Sequence, residues 1–208
     1  MSEVGNTIIQ KRFVESISGS PFARSLFSEV RWAWIWLLMR LYVGWQWLQA
    51  GWSKLNNPVW IGSKAGVAIS GFVSGALTKT GGEHPDVQGW YAWFLERLVL
   101  PNAEFWSYLV TWGEVLVGIA LFLGVFTGIA AFFGGFMNMN YLLAGTVSIN
   151  PILLTLAATL VLAWRTAGWW GLDRWVLPIL AHRRVQGRFS EEKAIADQLN
   201  TNQVRLDY

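Results

Sequence analysis

Three charged residues, Arg40, Glu114 and Arg165, lie inside apolar stretches long enough to cross a bilayer. An ionisable group at such depth costs roughly 2.5 kcal/mol or more, so it turns toward a protein interior, finds a partner and marks a site. The chain is thereby restricted to helical packings that point these side chains inward. Composition agrees: 14% of the 208 residues are charged and 53% are hydrophobic, against about 25% charged in soluble domains. Many of the 15 tryptophans, among them Trp32, Trp34, Trp36, Trp52, Trp106, Trp164, Trp169 and Trp170, fall near the ends of the apolar stretches. Amphipathic rings favour that headgroup level.

The apolar segments predict an all-α chain, an integral membrane four-helix bundle with spans near 32–53, 105–125, 128–147 and 151–170, each close to the roughly 20 residues a bilayer core requires. Short joints at 124–128 and 148–151 make the later spans antiparallel neighbours. Lys11, Arg12, Arg24 and Arg31 precede the first span, and Arg174, Arg183, Arg184, Arg188 and Lys193 follow the last. An even number of spans puts both termini on one side, and the basic excess marks that side as cytoplasmic. The expected location is the plasma membrane of a prokaryote, crossed several times. The expected organisation is a cytoplasmic segment 1–31, a membrane domain 32–178 and a cytoplasmic tail 179–208 with a short helix from Ser190. A long loop, about 54–104, then faces outward, too long and too apolar for a plain linker. Within it AGVAISGFVSGAL (65–77) reads as a re-entrant or interfacial segment. WYAWFLERLVL (90–100) reads as a surface helix stopped by Pro101, with Trp90, Trp93, Phe94 and Arg97 at helical spacing. Together they would form a lid.

On the first span Arg40, Gly44, Trp47, Gly51 and Lys54 recur every three or four residues, which sets a basic, glycine-lined stripe on one helix face. Lys54 either snorkels at the outer edge or serves a ligand. Glu114 lies within about a turn of the depth of Arg40 and Arg165, so a pair with one arginine is open, as a structural ion pair or as part of a ligand site. Asn138 and Asn140, in MNMNY near mid-membrane, can bond between helices or orient a ligand carbonyl. Gly118, Gly124, Gly128, Gly134 and Gly135 suit close helix packing. Cysteine is absent, which removes thiolate nucleophiles and iron–sulfur ligation. His84 and His182 lie outside the spans, so no imidazole pair clamps a haem in the membrane. No flavin or metal motif, Ser-His-Asp set or phosphate loop is present. Nucleic acid is not an expected partner, because juxtamembrane basic residues are explained by orientation and anionic lipid.

Five stretches resemble the DoxX/DoxD superfamily, and within it the small DoxD-type subunit of thiosulfate:quinone oxidoreductases: RLYVGWQWLQAGWSKL (40–55), LPN (100–102), GEVLVGIALFLG (113–124), NMNYLLAG (138–145) and RTAGWWGLDR (165–174). The resemblance implies a four-helix membrane protein that takes electrons from thiosulfate, forms tetrathionate and passes the electrons to quinone, a diffusible acceptor. No haem, flavin or metal is expected. On this resemblance Lys54 and Arg97 stand at an outer anion entrance, and Arg40, Trp47, Glu114, Asn138, Asn140 and Arg165 surround the quinone. Glu114 and Arg40 are the catalytic candidates, Glu114 as proton donor or acceptor. Implied partners are membrane lipid, quinone, a DoxA-like or other redox subunit, and a second copy in a homo-oligomer. The alternatives are a noncatalytic membrane partner that anchors or assembles soluble redox enzymes, and a small-solute carrier.

Overall fold

The computed structural model describes residues 21–179, whose regular structure is helical with no strand among them. The expected helix from Ser190 lies outside these residues. Helix α1 (Pro21–Ser28) and a 3-10 turn (Val30–Trp32) lead into α2 (Ala33–Leu55). The Trp36 indole fixes α1, stacking on Phe27 at 5.3 Å and donating to the Leu26 carbonyl at 3.2 Å. Ala33, Trp36, Arg40, Val43, Gly44, Trp47 and Gly51 form the buried face of α2, as the sequence spacing predicts.

The next helices are α3 (Val67–Leu77) and α4 (Gly89–Phe94). The expectation that 90–100 forms a separate helix ended by Pro101 is not met. A π turn (Leu95–Val99) and a 3-10 turn (Leu100–Asn102) carry α4 directly into α5 (Ala103–Leu123). Proline cannot donate the helical bond, and changing the bonding register on either side absorbs that loss without ending the helix. The continuous run Gly89–Leu123, 35 residues, is the one helix among the described residues long and apolar enough to cross a membrane.

Helix α6 (Thr127–Leu143) and helix α7 (Asn150–Leu162) have 17 and 13 residues, shorter than the spans expected there. At about 1.5 Å per residue α7 measures about 20 Å, less than a bilayer core of about 30 Å. The chain breaks at Ala163, makes one further turn, α8 (Trp164–Ala167), and folds back. Leu172 and Asp173 then donate their backbone N–H groups to the carbonyls of Leu123 and Gly124, at 3.2 and 2.8 Å. These bonds to the α5–α6 turn replace continuation of the helix.

Helix α2 packs on α5, α5 on α6, α6 on α7 and α7 on α2. Glycines set the closest approach: a Cβ on Gly44 would stand 3.0 Å from the Phe122 nitrogen, and one on Gly118 2.7 Å from the Leu48 nitrogen. A second apolar cluster, including Ile69, Val73, Val87, Tyr91 and Leu95, holds the 56–103 layer together. Lys79 Nζ fastens that layer to the Gly145 carbonyl at 2.7 Å, and Ser107 Oγ to the Trp60 carbonyl at 2.6 Å.

The outward faces of α5 and α6 are apolar. Phe105, Leu109, Trp112, Leu116, Ile119 and Phe122 form an exposed stripe on α5, and Ile129, Phe132, Phe133 and Phe136 one on α6. Arg40, Thr111, Glu114, Thr127 and Asn138 are buried. This reverses the usual distribution of a water-soluble bundle.

Candidate functional site

Glu114, on α5, is 1% exposed. Its Oε2 is 2.6 Å from Lys54 Nζ, and its Oε1 accepts a hydrogen bond from the Tyr141 hydroxyl at 2.7 Å. Gly51 makes the first contact possible. A Cβ there would stand 2.9 Å from the Val115 nitrogen, so α2 approaches α5 closely and places Lys54, one turn later, across Glu114. The Lys54 side chain keeps 17% exposure, with its ammonium 4.9 Å from the Trp60 ring centroid. Phe72 packs edge-on against Tyr141 at 6.1 Å. The 56–103 layer therefore supplies two aromatic walls to the site.

Below this trio lies a second polar group. Gly134, Asn138 and Tyr141 share one face of α6. A Cβ on Gly134 would stand 2.9 Å from Trp47 Nε1, and the Trp47 ring lies 6.5 Å from that of Tyr141. The indole thus runs along the face that carries Asn138. Trp47 Nε1 and both amide atoms of Asn138 are buried without a hydrogen-bond partner. Each such group costs about 1–3 kcal/mol, which a merely structural core avoids. Together they offer a donor, and an amide able to donate and accept, on the helix faces that also carry Lys54 and Tyr141.

The expected pair between Glu114 and an arginine does not form, and Lys54 takes the place. Arg40 stands fourteen residues before Lys54 on the same helix, about 21 Å away along the axis. It is 1% exposed, donates from Nη2 to the Trp170 carbonyl at 3.3 Å, and leaves Nε and Nη1 without partners. Its guanidinium passes between Gly124 and Gly171, where a Cβ on either residue would collide with Nη1. Asp173, beside it, caps α6: Oδ1 accepts from the Phe126 N–H at 2.6 Å and Oδ2 from the Thr127 N–H at 2.8 Å. Arg40 is thus placed as a clamp on two turns, remote from Glu114.

Arg165 is exposed, with its guanidinium 5.2 Å from the Trp164 ring centroid, because the break at Ala163 takes it out of a continuous span. Arg97 is exposed on the π turn. Asn140 is half-buried and faces α4, its Oδ1 accepting from the Tyr91 hydroxyl at 3.1 Å. Of the expected residues, the interior site gathers Trp47, Lys54, Glu114 and Asn138. Arg40, Arg97, Asn140 and Arg165 lie elsewhere. The structure adds Tyr141, Trp60, Phe72 and, at the far end, Asp173. Tyr141 was accessible from spacing alone, three residues after Asn138 on one helix face.

A family model described as DoxX matches residues 35–146, more than half of the chain. No curated protein and no solved structure matches it. The matched stretch holds Arg40, Trp47, Lys54, Glu114, Asn138 and Tyr141 and ends before Arg165 and Asp173. DoxX is a family of membrane proteins, in keeping with the apolar helix Gly89–Leu123. With its interior polar set inside the matched region, the chain belongs to the DoxX family.

Proposed function

We propose that this protein is the membrane subunit of a quinone-linked oxidoreductase, embedded as a four-helix bundle in a prokaryotic plasma membrane with both termini cytoplasmic. The observation that carries the reading is Glu114, buried between an ammonium and a phenol inside a bundle whose outer faces are apolar. Embedding is further supported by α2, where the exposed Trp34 and Trp52 are separated by about 27 Å of helix, close to the thickness of a hydrocarbon core. The DoxX family is in some cases associated with quinone oxidoreductases.

The residues fit a quinone headgroup. Trp47 Nε1 can donate to a carbonyl, while the Asn138 amide can donate to a carbonyl or accept from a hydroxyl. Quinone supplies two-electron acceptance, taking up two electrons and two protons. Glu114 holds or releases a proton at Oε1, the Tyr141 hydroxyl passes it along that bond, and Lys54 balances the carboxylate charge. Trp60 and Phe72 wall the site on the side of the 56–103 layer. The proposed donor is thiosulfate: two dianions lose one electron each and join through a new sulfur–sulfur bond as tetrathionate. Electron delivery uses a DoxA-like or other redox subunit.

The test is anaerobic quinone reduction in lipid nanodiscs with thiosulfate as donor, tetrathionate being measured alongside, with and without membrane extract. Matched turnover supports the reading. A Glu114→Gln variant that is folded and reduces quinone at the native rate removes Glu114 from it. A second reading, a noncatalytic membrane partner for soluble redox enzymes, is favoured by Arg40, whose contacts are those of a structural clamp. Absence of turnover together with stoichiometric copurification of a soluble enzyme establishes that reading instead.

A further inference from the structure

A cleft of about 380 Å³ opens at the Arg40 end of the helices, between Leu123 at the close of α5 and a segment in which a turn carries Trp169 and Trp170 and the helical residues that follow it carry Arg174 and Trp175. We infer that this cleft binds the phosphodiester headgroup of an anionic phospholipid, with Arg174 facing the phosphate and the tryptophans seating the glycerol and upper acyl chains. The inference rests on the membrane-embedded reading above and is independent of the redox chemistry.

Arg174 is held in place, its guanidinium 5.3 Å from the Trp169 ring centroid. Trp169, Trp170 and Trp175 are exposed around it, the arrangement that amphipathic rings adopt at a headgroup layer. Directly behind the wall of the cleft lies Arg40, bonded to the Trp170 carbonyl and otherwise without a hydrogen-bond partner for Nε and Nη1. The neighbouring carboxylate, Asp173, is engaged by two backbone N–H groups of α6. Arg165 follows the same chain segment one turn before Trp169 and is exposed. Among the described residues Arg40, Arg165 and Arg174 accompany the single carboxylate of Asp173 around this segment, while Arg31 and Glu29, at the start of α2, pair with each other at 2.7 Å; the result is a local excess of positive charge with an apolar rim. A free phosphate ion would use the charge alone, whereas a lipid uses both the charge and the rim, which continues onto exposed Leu123 and Phe122.

The test is native mass spectrometry of the full chain in mild detergent, titrated with dioleoyl phosphatidylglycerol or dioleoyl phosphatidylcholine. Phosphatidylglycerol is expected to be retained preferentially. One basic residue at a membrane surface contributes about 1 kcal/mol, so Arg174→Gln should lower the preference about fivefold. Arg174→Lys should keep most of it. Arg31→Gln, which removes a cation at the start of α2 outside the cleft, should leave it unchanged. Equal retention of both lipids by the native chain, or an unchanged preference in Arg174→Gln, overturns the inference. So does displacement of the bound lipid by millimolar inorganic phosphate, which would identify a small-anion site. Should Arg174→Gln fail to fold, Trp169→Leu provides the second variant and should also weaken retention. Resistance of the native chain to alkaline carbonate washing of membranes is scored separately, so that failure of the membrane reading is distinguishable from failure of the lipid site.

Discussion

Replacing Lys54 by Met keeps the length of the side chain and removes its charge, leaving Glu114 held by Tyr141 alone. Breaking a buried ion pair from one side costs about 3–5 kcal/mol, because the remaining charge is left uncompensated. Glu114 is 1% exposed and Lys54 17%, so the penalty falls on the carboxylate, and residual solvent access at the lysine places it near the lower end, about 3 kcal/mol. Glu114→Gln should cost less, about 1–2 kcal/mol, since the amide oxygen still accepts from Tyr141 and the partly exposed ammonium finds water. The double variant Lys54→Met/Glu114→Gln removes both charges and should be more stable than the sum of the single losses by about 2 kcal/mol. Sodium dodecyl sulfate titration of bicelle-reconstituted protein, followed by far-ultraviolet circular dichroism, measures all four corners of the cycle. If Lys54→Met is no less stable than Lys64→Met, which alters an exposed lysine, or if the single losses simply add, the pair does not hold the site as described.

Asp173→Ala should destabilise by about 3 kcal/mol, because two charge-assisted bonds at the start of α6 are lost together; hydrogen exchange should accelerate first at Phe126 and Thr127. Gly124→Ala places a side chain at φ +69° and against the Arg40 guanidinium, and should cost about 1–3 kcal/mol; Arg40→Leu in the same chain relieves only the collision, so stability should recover only in part in the same titration. Lys79→Met removes the bond to the Gly145 carbonyl and should speed exchange in the 79–92 segment by roughly fivefold, corresponding to about 1 kcal/mol, with little change in α2 or α5.

Periodicity made the principal helices and the buried stripe of α2 legible, since spacings of three and four residues determine which side chains share a face. It also made the break at Gly124 legible, where the chain takes a left-handed turn. It could not reveal that Pro101 lies within a continuous helix, because that depends on a change of hydrogen-bond register. Nor could it show that the fourth segment ends at Ala163, because the determining bonds, from Leu172 and Asp173 to the α5–α6 turn, are tertiary. For the site, sequence identified Glu114 as a buried charge but gave depth without azimuth. Two arginines at plausible levels were therefore its expected partners, and Lys54, read as an outer-edge residue, takes that place because of the close approach at Gly51. Asp173 lies beyond the apolar spans, where a carboxylate carries no signal until the helix it caps is seen.

The cap on α6 carries a consequence for how the protein is made. The carboxylate that satisfies Phe126 is 47 residues further along the chain. During synthesis α6 leaves the ribosome with those N–H groups unmatched, and it remains so until α7, α8 and the following turn have emerged. Because the same turn closes over Arg40, one late docking event completes both the start of α6 and the enclosure of a guanidinium translated much earlier. A chain arrested before Gly168 would present both defects at once, an uncapped start of α6 and an unenclosed guanidinium.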